Sequence, residues 1–124
     1  MTLGYGAAGY LGPTIEGRSG VRTTLTFRNE ITTHPHAADI DTSLHGLTEA
    51  VRTTIPTSLL LHGADTEPAS DGHPEQTSLP GQGHIHHFDN RQDAAGLWYH
   101  DHAMPITRLN VYGGLAGGPP TARL

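Results

Sequence analysis

The chain has 124 residues, a formal net charge of −5 at pH 7, ten histidines and no cysteine. All seven basic residues are Arg, so the basic footprint of a nucleic-acid binder is missing; the lack of thiols excludes disulfides, thiolate zinc sites, iron–sulfur clusters, a Cys nucleophile and a blue-copper centre. Leu, Ile, Val and Phe supply only 24 of the 124 residues, a core thin enough to call for a metal, a partner subunit or both.

Residues 1–12 show no basic segment followed by a long apolar run, so they read as neither a secretory signal nor a membrane anchor. No stretch approaches the roughly 20 apolar residues of a membrane span. Gly12 to Glu16 read as a short strand entering a turn at 17–20. From Val21 to Arg28 the chain alternates, with Val21, Thr23, Leu25 and Phe27 on one face and Arg22, Thr24, Thr26 and Arg28 on the other. That period of two, rich in β-branched residues, predicts a half-buried antiparallel strand. Residues 32–52 carry His34, Pro35, His36, Asp39, Asp41 and His45 without a period and read as a long loop in which the paired carboxylates are solvated. Strands are expected at Thr57–His62, Gly83–Phe88 and Leu97–His102, with a second long loop over 63–83. Loops of this length in a small domain are functional or docked onto something. Ala103 to Leu109 suggest a helical turn, Met104 and Arg108 being four apart, and residues 118–124 read as a disordered tail. Many short strands between Gly- and Pro-marked turns predict a single all-β domain over 1–117, a sandwich or a barrel.

The histidines carry the chemistry. In Trp98-Tyr99-His100-Asp101-His102, strand alternation projects His100 and His102 from one face and Asp101 from the other. His62 ends another strand, and His84, His86 and His87 crowd a third. Convergence of these strands gives a His-rich metal site; without it the pairs are surface imidazoles. Imidazole suits copper, zinc, iron and nickel alike, so ligand type does not select the metal. No Gly-x-Ser-x-Gly elbow occurs, and the glycine-rich residues 4–12 lack the Lys of a phosphate loop.

Several segments are together similar to one family. They are Gly12-Pro13-Thr14-Ile15-Glu16, Leu61-His62-Gly63, Ser70-Asp71-Gly72-His73-Pro74-Glu75, Ala95 to Ala103 and Thr107-Arg108-Leu109-Asn110-Val111-Tyr112. In this order they resemble the first cupredoxin domain of bacterial multicopper oxidases, in the group of spore-coat laccase, bilirubin oxidase and phenoxazinone synthase. The resemblance implies a Greek-key β-sandwich of cupredoxin type and copper as cofactor. It also implies that His62, His100 and His102 are ligands of the paired type 3 coppers, with Asp71 as a carboxylate relaying protons beside the type 2 copper.

Three departures limit what is carried over. Leu60 stands where the family has the type 2 copper ligand, and an isobutyl group cannot coordinate. Without Cys there is no blue copper to admit electrons. The sandwich is also expected to lack edge strands at both ends, and exposed edges invite pairing with another chain. The expectation is therefore a copper-binding homo-oligomer, with a trimer as family precedent, no nucleic acid or membrane partner, and weak oxidase activity at most. Whether His86 or His87 replaces the ligand lost at Leu60 is left open. So are two alternatives, a degenerate domain using metal only structurally and one piece of a split laccase-type oxidase.

Overall fold

The computed structural model describes residues 1–118; all but the first residue of the expected tail, 118–124, lies outside them. Among the described residues, five strands form two sheets. β1 (Thr23–Arg28) pairs antiparallel with β3 (Gly83–Phe88), and β4 (Trp98–Asp101) lies between β2 (Leu59–His62) and the two-residue β5 (Ala116–Gly117). The chain crosses between sheets from β1 to β2, from β2 to β3 and from β3 to β4, so the two sheets of the sandwich are built from alternate strands. The helix α1 (Thr107–Gly113) precedes β5.

Alternation explains how the sheets close on each other. Leu25 and Phe27 point inward from β1, Leu59 and Leu61 from β2 and Tyr99 from β4, and they cluster with Tyr5 and Ile15. The Tyr99 ring is held flat beneath Gly12 and Gly117, where any Cβ would collide with it, and its hydroxyl donates to the Pro13 carbonyl at 2.6 Å. A second apolar cluster, Ile40, Val51, Ile55, Ala103, Ile106 and Leu109, packs the 32–52 segment against α1. The long loop is thus docked, and it includes 3-10 turns at Ala37–Asp39 and Glu49–Arg52.

Several boundaries differ from the sequence expectation. The 12–16 strand reduces to one bridge, Gly12 to Gly117, because Pro13 has no N–H and spends its carbonyl on Tyr99. β1 starts at Thr23 rather than Val21. Val21 is 52% exposed, donates its N–H back to Arg18 in a turn, and gives its carbonyl to the Asn90 amide. The helix begins four residues later than expected, since the Asp101 carboxylate takes the Ala103 N–H and Pro105 interrupts the first turn.

Asp101 holds this end of the molecule together. Fully buried, it accepts from Ser58 N at 2.9 Å, Ala103 N at 3.1 Å and the Asn110 amide at 2.9 Å. Asn110 also donates to the Pro56 carbonyl at 3.0 Å. One carboxylate therefore ties the entry to β2, the exit from β4 and α1 into a single register.

Candidate metal centre

That register sets which side chains share a face. Leu60 lies opposite His100 and His62 opposite Trp98. Side chains directly opposite in an antiparallel pair point the same way, so His62, Leu60, His100 and Trp98 form the outer face of the β2–β4 sheet. His102 falls just past β4, although its N–H still bonds the Ser58 carbonyl at 2.8 Å.

The structure brings His62, His100 and His102 together. Ring centroids are 5.4 Å apart for His62–His100 and 5.8 Å for His100–His102. Backbone carbonyls fix two of the three tautomers. A carbonyl only accepts, so His100 donates its Nδ1 proton to Asp101 O at 2.7 Å and His102 donates its own to Gly72 O at 3.2 Å. Each keeps its lone pair on Nε2. Carbonyl-held imidazoles of this kind are the usual outer support of a metal site, fixing ring orientation and tautomer. Burial first, and then the neighbouring His62 and His102, hold His100 below the ordinary imidazole value of 6.5, against the pull of its bond to Asp101. It is neutral at pH 7 and coordinates without first losing a proton.

The nitrogen spacing fits an ion. His62 Nδ1 and His100 Nε2 lie 3.1 Å apart and share one proton. Two imidazole nitrogens bound to one ion at 2.0–2.1 Å stand about 3.3 Å apart at a tetrahedral angle. Trp98, 42% exposed, stacks on His100 at 4.2 Å and on His62 at 5.2 Å and forms one wall. Among the described residues, no three His, Cys, Asp or Glu side chains converge tightly enough to hold one ion by themselves. Leu60, directly across from His100, fills the place where a further imidazole would point.

The remaining predicted residues lie elsewhere. Asp71 follows a 3-10 turn (Pro68–Ser70) in the loop that crosses β2. There Gly72, at φ +72°, packs its backbone so closely on Leu59 and Leu60 that a Cβ would collide with them. His86 and His87 belong to the other sheet. His86 donates from Nδ1 to the Ser70 carbonyl at 2.9 Å, and the His87 backbone N–H donates to the Ser70 hydroxyl at 2.9 Å. Reading the sequence missed Asn110 and Gly72, although both lie in segments it singled out. Asp39 and Asp41 are exposed, Asp39 beside His36 and Asp41 accepting from Ser43.

No protein-family model matches the chain. It is 37% identical over 115 residues to a laccase of Bacillus subtilis (strain 168), a match covering 86% of the chain and 22% of that protein. A bilirubin oxidase of Albifimbria verrucaria is 38% identical over 106 residues, covering 86% of the chain and 15% of the relative. Among solved structures, a multicopper oxidase from Campylobacter jejuni superimposes with a TM-score of 0.66 at 26% identity, over 91% of this chain and 20% of that one.

The chain is a cupredoxin-type domain of the multicopper oxidase family.

Copper is the cofactor this membership implies. The chain spans about a fifth of the length of the laccase it matches.

Proposed function

We propose that this cupredoxin domain binds copper on the outer face of β2–β4, through His62, His100 and His102, and that a further chain completes the site. The observation that carries the reading is the pair of facing nitrogens, His62 Nδ1 and His100 Nε2, 3.1 Å apart. Copper would supply one-electron redox chemistry there. The chain's own contribution is to orient two imidazoles through the Asp101 and Gly72 carbonyls and to shield one side with Trp98.

Three imidazoles that do not converge on one ion leave positions for another chain, and a homo-oligomer, with a trimer as the family's precedent, is the simplest supply. Asp71 as a proton-relaying carboxylate belongs to the same reading and rests on the resemblance alone, while His86 and His87, on the other sheet, are not called on as the substitute for Leu60. Four-electron reduction of dioxygen needs an electron reservoir that a chain without a blue centre lacks, so oxidase turnover alone is weak at most. Leu60 favours a second reading, metal held for structure only. Copper that raises the melting temperature, as a ligand of the native state must, with no turnover supports that alternative.

Trp98 is the chain's single tryptophan and stacks on the proposed ligands, so its fluorescence reports on the site. Titration with Cu(II) should quench it to an integer endpoint, and native mass spectrometry should give the subunit and copper counts together. Quenching that persists unchanged in His100→Ala/His102→Ala would remove the proposal.

A further inference from the structure

The inner face of the other sheet carries a second group of electron-pair donors that the copper reading does not use. His84 and His86 lie opposite Phe27 and Leu25 and share their inward face, and their rings meet edge to face with centroids 4.8 Å apart. The Ser70 carbonyl takes the Nδ1 proton of His86, which leaves the lone pair on Nε2. That nitrogen is buried without a hydrogen-bond partner in a residue only 2% exposed. His84 donates from Nε2 to the Ala69 carbonyl at 2.7 Å, leaving its own lone pair on Nδ1. Gln76 donates its amide N–H to the same carbonyl at 3.1 Å and lies 3.3 Å from His84 Nε2, while its buried Oε1 has no partner either.

His86 Nε2 and Gln76 Oε1 are thus two buried acceptors with nothing to accept, Gln76 standing at the Nε2 edge of His84. A buried acceptor left without a donor keeps its full desolvation cost, and a bound cation removes that cost. Both imidazoles have the outer support typical of metal ligands, the second ring N–H given to a backbone carbonyl. Their spacing agrees as well. Imidazoles bound to one ion at 2.0–2.1 Å place their ring centroids about 5 Å apart at a near-tetrahedral angle, against the 4.8 Å observed.

We propose that His84 Nδ1 and His86 Nε2 form a second site for a divalent transition-metal ion such as zinc, separate from the histidines of the outer face, with the Gln76 amide turning from the Nε2 edge of His84 to add its oxygen. Such an ion ties β3 to the 69–76 loop and staples a domain whose apolar core is small.

The test uses the full chain carrying His100→Ala and His102→Ala, which disables the outer face, so failure of one site is distinguishable from failure of the other. Zinc is titrated against a chromophoric chelator. About one equivalent should remain bound at micromolar affinity. Adding His86→Phe, a ring of similar size that can stack on Phe88 as His86 does, should weaken it at least tenfold, while His87→Ala, on the opposite strand face, leaves it unchanged. Should His86→Phe fail to fold by its melting curve, Gln76→Leu and His84→Ala must each show the same weakening. Absence of zinc from the double variant, or unchanged binding after these replacements, overturns the proposal and assigns an ordered water to the His86 nitrogen.

Discussion

Two His-x-His pairs, His84/His86 and His100/His102, share their spacing and the carbonyl that holds one nitrogen of each ring. They differ in where they face. His100 sits across from Leu60 on the outer side of its sheet, while Leu59 and Leu61 turn inward from the same strand. His86 sits across from Leu25, and His84 across from Phe27, so this pair looks into the sandwich. The spacing alone makes either pair a ligand set. The partner strand decides whether that set meets solvent and other chains or only its own core.

The largest expected effect lies at Asp101, which fixes the register of the outer pair. Removing its carboxylate leaves Ser58 N, Ala103 N and the Asn110 amide without their acceptor. At roughly 1–3 kcal/mol per buried unsatisfied group, Asp101→Ala should lose about 3–5 kcal/mol in urea denaturation and its copper with it. Burial, outweighing these same donors, pushes the Asp101 carboxyl up to about 6 from 3.8. The folded chain therefore binds this proton more tightly than the unfolded one. The stability it contributes is fully present below about pH 4 and is lost as pH rises through 6, a difference of about 3 kcal/mol at one unit per 1.36 kcal/mol. Asp101→Asn should flatten that part of the stability–pH curve in metal-free protein, and an unaltered slope would assign it to other groups.

Gly72 comes next, because it separates the two pairs experimentally. Its carbonyl holds His102, and its φ of +72° and contact with Leu59 leave no room for a side chain. Gly72→Ala should cost about 1–3 kcal/mol in backbone strain and lift the loop from β2. Copper affinity at the outer face should fall tenfold or more, and zinc binding at His84/His86 much less, since Ala69 and Ser70 hold those rings. Equal losses at both sites would mean that the loop moves as one rigid strap.

β1 was legible because period two survives in it, with Leu25 and Phe27 on the apolar face. β2, with leucine on both faces, and β4, with Asp101 beside Tyr99 on the inner one, lack that pattern and were marked only by the turns around them. The outer histidines were legible because His100 and His102 stand two apart, with the family resemblance supplying their role. What the sequence withheld depends on partners far along the chain. Nothing local in Asp101 announces that Asn110 and Ser58 will close on it, or that Gly72 will press against Leu59. The direction in which His86 faces follows from Leu25, 61 positions away in sequence. Pro13 and Val21 misled for a simpler reason. Each carries strand-like neighbours, but their backbone groups are committed to the Tyr99 hydroxyl, a turn and the Asn90 side chain.

The smallest effect on the fold, and the sharpest on the comparison, comes from Leu60→His. Leu60 is half-buried on the outer face, directly opposite His100 and two residues before His62. Replacing it removes little core packing, so stability should change by about 1 kcal/mol or less, as at most sites away from a packed interior. The gain is a fourth imidazole beside three whose orientations are already set. Copper affinity should rise at least tenfold, or the stoichiometry by one, measured by the quenching of Trp98 and by native mass spectrometry, with the inner pair's zinc binding unchanged. If neither copper quantity changes, Leu60 does not point where the register puts it, and the outer face is limited by its lack of a second chain rather than by its missing histidine.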